Sequence, residues 1–506
     1  MKKKLIFFIV ASIAMTYSQA QNIFDGLRYS QEQINGSARF QAMSGAFGAL
    51  GGDLSAININ PASSAIFLNN SAAISLGVLD KENEATYFNT STSSFDTDIS
   101  VNQGGLVFVF PNANEESPWR KISLGLNYNN TRNFDDELFV QGTSSNSISD
   151  FFLAQAQGIP LDLLELRPGE TIDDLYSFLG ESEGISAQNA FLGFQGFIFD
   201  PVDDNPNNTS YSSNVTGGNF NQDYALLSNG YNGKFSFNVA TQYEDNLYFG
   251  INLNSHYFEY NESTFFEERN SNAGSTINQI GFQNNLATTG AGFSAQIGAI
   301  YKVTNELRIG ATYDTPTWYE ISEETSQYLE TERTENGQQI TQIVDPRVIN
   351  IFENYNLTTP GKISASAAYV FGKKGLLSFD YSYKDYSNIK FRPSNDILFS
   401  TLNTSIENNL KAVSSYRLGG EYKIQNFSLR GGYHFEESPY QDEITVGDIT
   451  GFSLGLGYNF GNYTFDLAYS RSEQSRNQQF YDVGFTNSSS INTINSAFVF
   501  TLGFSI

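Results

Sequence analysis

From residue 71 to the end, apolar residues alternate with small or polar ones in short runs, and each run closes on a turn sequence. The last run is the clearest. Phe498, Phe500, Leu502, Phe504 and Ile506 fall on one face, and Val499, Thr501, Gly503 and Ser505 on the other. A period of two is the period of a strand, and one apolar face opposite one small or polar face suits a wall between lipid and a wet lumen. Reading backward gives hairpins of the same kind. Tyr463, Phe465, Leu467 and Tyr469 pair across the Gly461-Asn462 turn with Phe452, Leu454, Leu456, Tyr458 and Phe460. Strand centres are predicted near residues 75, 106, 125, 238, 252, 296, 311, 366, 381, 418, 432, 455, 467 and 500, an even set of 14. The fold class predicted is all-β, a 14-stranded antiparallel transmembrane barrel occupying residues 71–506.

Short and long connections alternate, which predicts short turns and the C-terminus on the periplasmic side and long loops outside. The long stretches are 81–100, 132–231, 262–287, 318–360, 388–410, 438–448 and 474–492. The second carries helical signals. Thr171-x-x-Asp174 reads as a capping box and Gly180 as the stop, with Leu175, Phe178 and Leu179 on one face between them. Upstream, Phe151, Phe152, Leu153, Leu161, Leu163 and Leu164 are apolar where a loop should be polar. Two readings stand. The residues pack on one another as a small cap, or Phe151, Phe152, Leu163, Leu164, Leu175, Phe178 and Leu179 form an outer groove that captures an apolar ligand.

The N-terminus changes the picture of compartment. Lys2, Lys3 and Lys4 precede an apolar stretch over residues 5–15, and Ser18-Gln19-Ala20 has the small residues of a cleavage site. Residues 1–20 are predicted to be a secretory signal peptide, since a spanning helix needs about 20 apolar residues. Mean hydropathy is −0.32, yet aromatics reach 15% and charged residues only 16%. Ordinary soluble domains carry roughly 25% charged residues. With 43 Gly, 43 Phe and 29 Tyr, the balance fits a barrel with aromatic girdles and small inward residues.

Charge and cysteine content exclude whole classes. The chain carries 28 basic and 54 acidic residues, a net charge of −26, which argues against nucleic acid. Zero Cys removes thiolate metal sites and cysteine nucleophiles. No catalytic constellation, metal site or cofactor is predicted. His434 alternates with Tyr433 and Phe435 and so faces the lumen, while His256 sits in or above the fifth strand; both are read as structural or pore-lining. Alternation also turns Arg308, Arg417 and Arg430 inward. Each is a candidate anchor for a ligand carboxylate, or else a partner of inward acids such as Asp314, Asp380, Glu421 and Asp466.

Residues 21–70 do not alternate. They hold Gly36, Gly45, Gly48, Gly51 and Gly52, but no strand–helix unit that would make a phosphate loop of them. The run RFQAMSGAFGALGGD at 39–53, followed by Asn60-Pro61-Ala62, resembles the N-terminal hatch of the FadL/TodX family, outer-membrane transporters of long-chain fatty acids and other hydrophobic compounds. The resemblance spans the mature chain in architecture and is specific in residues only over about 39–62. It implies that residues 21–70 plug the lumen, with Asn60, Pro61 and Ala62 in the hatch role beside the third strand. It also implies passive lateral diffusion of a hydrophobic ligand into the membrane, past a kinked third strand; here Gly125 to Asn130 would place the kink near Asn129. Expected partners are outer-membrane lipid, the hydrophobic ligand and, during biogenesis, the outer-membrane assembly machinery. The alternative function is a non-transporting barrel of the same family, serving as an interaction or shuttle subunit of a secretion or assembly complex.

Overall fold

Fourteen strands close into an antiparallel barrel in the computed structural model, which describes residues 22–505. They are β1 (Ser71–Tyr87), β2 (Thr90–Pro111), β3 (Trp119–Asn133, resumed as Asp136–Ser144), β4 (Phe220–Tyr243), β5 (Leu247–Arg269), β6 (Ile277–Lys302) and β7 (Leu307–Asp314, resumed as Trp318–Glu335). There follow β8 (Lys362–Val370), β9 (Gly375–Asp385), β10 (Ala412–Ile424), β11 (Phe427–Glu436), β12 (Val446–Asn459), β13 (Tyr463–Gln479) and β14 (Ser488–Ser505). β1 pairs with β14 from Ser71↔Ser505 to Thr86↔Ser490, which closes the wall and leaves no free edge in the membrane. All 14 predicted centres fall on these strands. The signal peptide read at 1–20 and Ile506 lie outside the described residues.

The in/out register follows the alternation. Phe498, Phe500, Leu502 and Phe504 are exposed on the outer face, while Val499 and Thr501 are buried. Short turns close one end; Gly372 and Gly461 take φ of +59° and +102° in the β8–β9 and β12–β13 turns, a region other residues enter at a cost.

The other end departs from the sequence reading. Stretches 81–100 and 262–287, expected as loops, are mostly strand: β1 and β2 reach Tyr87 and Thr90, and β5 and β6 reach Arg269 and Ile277. The backbone ladder continues there, but the outer face meets water instead of lipid, and the inner face meets polar neighbours and the helical cap. Runs such as Thr90-Ser91-Thr92-Ser93-Ser94 therefore carry no apolar alternation to betray a strand. The segment between β3 and β4 holds α2 (Ser149–Ala156), α3 (Ile172–Ser182) and α4 (Ile185–Gln195), after α1 (Ile23–Ser30) near the N-terminus; α5 (Ile397–Asn409) lies between β9 and β10. The capping box at Thr171 forms, with Thr171 accepting from Asp174 N–H and Asp174 reaching back. Gly180 does not stop α3. A Cβ on it would meet Gln188 of α4 at 2.3 Å, so the glycine serves close helix approach, and Gly184 at φ +88° ends the turn instead.

α2, α3 and α4 form one apolar cap over part of the barrel mouth, packed on Tyr224, Phe266, Ile280, Phe282 and Leu329 of the strands below. Glu268 of β5 fastens its edge, accepting from Ser147 Oγ at 2.5 Å, Ile148 N–H at 2.9 Å and Gln222 Nε2 at 2.7 Å. Burial pushes this carboxyl up from 4.5 to about 7, and Asp150 adds to the rise. Raised pKa favours the protonated form in the closed cap. The stabilisation is full below about 4.5 and lost as pH rises through about 7. Hydrogen exchange over 145–156 is therefore expected to speed up between pH 5 and pH 8, by an energy on the order of 3 kcal/mol at most. Glu268→Gln keeps the acceptor and should flatten that dependence; an unchanged pH profile in the variant refutes the assignment.

Candidate functional site: the plugged lumen and the break beside β3

Residues 25–66 are largely buried and are fastened to the inner face of the wall almost all the way round. Ala38 N–H donates to Thr501 Oγ1 of β14 at 2.7 Å, and Ser44 Oγ meets Ser453 Oγ of β12 at 2.8 Å. Phe47 and Gly48 N–H both donate to Asp380 Oδ2 of β9 at 2.9 Å. Ser64 Oγ meets Ser123 Oγ of β3 at 2.9 Å, and Asn252 of β5 and Gln296 of β6 donate to the carbonyls of Ile57 and Asn58. A Gly- and Ala-rich segment of this length has too little side-chain bulk to bury a core alone, so the wall supplies its partners.

Asn60-Pro61-Ala62 forms the start of a 3₁₀ turn, Pro61–Ile66, with Asn60 extended at φ −143° and its side chain accepting from Ala62 N–H. Asn60 Nδ2 donates to Gly48 O at 2.8 Å and to Ala299 O at 3.0 Å. The wall is thinned to receive it: a Cβ at Gly298 would sit 2.1 Å from Asn60 Oδ1, and one at Gly250 would sit 2.3 Å from Pro61 C. Ala62 is buried among Ala240, Tyr248 and Ile300. The tripeptide thus braces β4, β5 and β6, not the third strand beside which the resemblance put it. Near the tripeptide, Leu54, Ser64 and Phe67 are the residues that bond to β3. Alternation gives the facing of each strand but not the path of a non-repeating segment across the lumen.

Beside Asn129 the wall is interrupted. The β2–β3 ladder runs from Pro111↔Lys121 to Gln103↔Asn129 and stops there. Past that point β3 bulges between Asn130 and Arg132 against β4, breaks, and resumes at Asp136 paired with β4 alone. β2 carries its own irregularity opposite, at Asn102 between Gln103 and Val101. Asn129 Oδ1, Asn130 Oδ1 and Asn232 Oδ1 are buried here without hydrogen-bond partners. The N-terminal segment takes up part of the freed edge: Gln33 N–H donates to Thr131 O at 2.8 Å, Asn133 N–H to Gln33 Oε1 at 3.1 Å, and Arg132 to Gln31 Oε1 at 2.9 Å. Gln31 and Gln33 were not singled out from sequence.

A cavity of about 160 Å³ opens off this break. Its lining includes Gln33 and Ile34 of the N-terminal segment, Asn102 of β2, Asn133 of β3, and Arg417 and His434 across the lumen. The three inward arginines have different fates. Arg430 donates to Glu421 Oε2 at 2.7 Å and to Asp466 Oδ1 at 2.6 Å, and Arg39 of the N-terminal segment shares Glu421 at 2.9 Å. Arg308 donates to Leu50 O at 2.9 Å. Arg417, among the described residues, makes no ion pair or hydrogen bond and faces the cavity. Asp314 pairs with Lys362 at 3.0 Å. His434 Nδ1 is buried without a partner, and His256 lies in a second, smaller cavity of about 50 Å³, bonded to Ser294 Oγ at 2.8 Å.

Of the apolar outer-loop residues, Phe151, Phe152, Leu164, Leu175 and Leu179 are buried in the cap cluster and Leu163 packs on it. Phe151 lies against Tyr481 with ring centroids 4.6 Å apart and planes tilted by 36°, and Phe152 meets Phe282 edge-on at 5.0 Å. Phe178 turns away from the cluster, 48% exposed, and Tyr176 takes the buried place on α3. These side chains fill one another's space, so a groove among them requires the cap to loosen.

Comparison with known proteins draws on sequence and fold separately. A family model described as outer membrane protein transport protein (OMPP1/FadL/TodX) matches residues 205–506, more than half of the chain. The chain belongs to this family. No curated protein matches it in sequence. Among solved structures, a Pseudomonas aeruginosa FadL homologue is 12% identical at a TM-score of 0.53, covering 94% of this chain and 99% of that one. The Pseudomonas putida toluene transporter TodX is 13% identical at 0.52, with the same coverage. At such identity these two structures support the fold alone. The FadL/TodX assignment makes this an outer-membrane transport barrel for hydrophobic compounds as a class, and the plugged lumen described above is the place to seek its path.

Proposed function

We propose that the barrel carries a hydrophobic small molecule, of long-chain fatty acid type, by passive lateral diffusion: in from the capped outer end, through the lumen cavity, and sideways into the membrane between β2 and β3. In this reading residues 21–70 act as the hatch, the short turns and the C-terminus are periplasmic, and Arg417 holds a ligand carboxylate. The observation that carries it is the loss of the β2–β3 ladder beyond Gln103↔Asn129, beside the cavity that Arg417 faces. A side exit is downhill for an apolar solute, which gains about 0.8 kcal/mol per methylene kept out of water. Ligand pockets usually measure roughly 300–1,000 Å³, and this cavity is about 160 Å³. Passage therefore requires the N-terminal segment to shift.

The chain contains no cysteine, so a single engineered pair gives a clean test. Ser44→Cys with Ser453→Cys joins the hatch to β12 where the two hydroxyls are 2.8 Å apart. Oxidised cells should lose uptake of labelled fatty acid and regain it on reduction, at equal amounts of folded barrel. Arg417→Ala should lower uptake of the fatty acid on the order of tenfold, the worth of a charge-assisted contact, and leave uptake of toluene unchanged. Full uptake in the oxidised pair would overturn the hatch route; equal loss of both solutes in the arginine variant would remove Arg417 as a carboxylate anchor.

A further inference from the structure

The outer wall carries a built hollow where β10 meets β11. Gly420 pairs with Gly431, and both face away from the lumen. The neighbouring pair, Gly419 and Gly432, faces inward and is explained by the N-terminal segment: a Cβ on either would meet Met43 backbone at 2.6 and 2.5 Å. Outside, a Cβ on Gly420 would lie 3.1 Å from the end of the Leu377 side chain, which can give way. A Cβ on Gly431 would find nothing nearer than 3.8 Å, so that position is empty for want of a side chain, not for want of room. The result is a groove of about 820 Å³, flanked by Leu377, Leu418, Leu429 and Tyr433, with Phe371 and Tyr422 toward the turns.

Charge singles out the mouth of this groove. Lys374 lines it, and Lys373 stands beside it in the β8–β9 turn. Among the described residues neither lysine forms an ion pair. Other charged turns at the same end bear acids: Glu115 and Glu116 after β2, Glu244 and Asp245 after β4, Glu306 after β6. On a chain of net charge −26, two unpaired lysines at the end of an apolar channel form a local positive spot at the depth where lipid phosphates lie.

We propose that this groove is a binding site for one anionic phospholipid of the leaflet on the turn side. An acyl chain lies over Gly420 and Gly431, and the phosphate sits at Lys373 and Lys374. The proposal needs only the barrel in its membrane and is independent of what the lumen carries.

The test uses the full chain in detergent with dioleoyl-phosphatidylglycerol or dioleoyl-phosphatidylethanolamine, read by native mass spectrometry. The anionic lipid should be retained on the order of tenfold better than the zwitterionic one, whose own ammonium offsets its phosphate charge and competes with the two lysines. Lys373→Gln with Lys374→Gln should bring the anionic lipid down to the level of the other. Gly431→Leu, which fills the groove, should lower retention of both; Leu429→Trp fills the same hollow and serves if the glycine variant folds poorly by heat-shifted gel mobility. Equal retention of the two lipids by the unmodified protein overturns the proposal. So does selective retention that survives either the lysine pair or the filled groove.

Discussion

Replacing Glu421 with alanine is expected to loosen the N-terminal segment and cost the folded protein about 3–5 kcal/mol, the usual result of stripping one partner from a buried ion pair. The Glu421 side chain is fully buried and takes two arginines, Arg39 from the lumen segment at 2.9 Å and Arg430 from β11 at 2.7 Å. Arg430 keeps Asp466 when Glu421 is gone, but Arg39 loses its carboxylate and keeps a hydrogen bond to Gly52 O at 3.3 Å and its place over the Phe47 ring. The damage should therefore centre on the segment 39–53. Two measurements check it: a lowered unfolding temperature, and single-channel conductance in planar bilayers that rises as the plug loosens. Glu421→Gln retains an acceptor oxygen and should recover part of the loss. A Glu421→Ala protein with unchanged stability and a closed pore would show that the ion network does not hold the segment.

Phe500→Arg is expected to block stable insertion, at about 2–4 kcal/mol for a cation at mid-membrane on the lipid face. Phe500 is outward and sits between Leu76 of β1 and Leu467 of β13. The inward comparison is Ser472→Arg, because Ser472 borders the lumen cavity, five residues along β13 from the partner of Phe500. It should insert normally. Thr501, although inward, is a poor control, since its hydroxyl accepts from Ala38 N–H and contacts Ser75. Heat-modified gel mobility of the barrel in isolated outer membranes decides the matter: equal folded yield for both arginine variants would mean that the in/out register does not govern insertion.

The sequence by itself determined the strands that cross the membrane, their number and their facing. A residue on a barrel wall meets lipid or lumen according to a local property, the parity of its position, and Phe498 to Phe504 against Val499 to Thr501 states that parity without reference to any other strand. The motif at 39–62 was also legible, because close backbone packing demands small residues there. Tertiary structure alone decided the rest. Which inward arginine stays unpaired depends on which strand lies opposite and where the lumen segment runs: Arg430 finds Glu421 and Asp466, Arg308 finds the Leu50 carbonyl, and Arg417 faces open space. Phe178 left the face that helical spacing gave it because α3 turns Tyr176 into the cap instead. The strands beyond the membrane were hidden because a ladder of backbone hydrogen bonds needs no regular apolar alternation once the outer face meets water instead of lipid. Gln31 and Gln33 became wall partners only because β3 leaves β2 at Asn129, and an exposed strand edge takes whatever backbone the closed barrel brings to it.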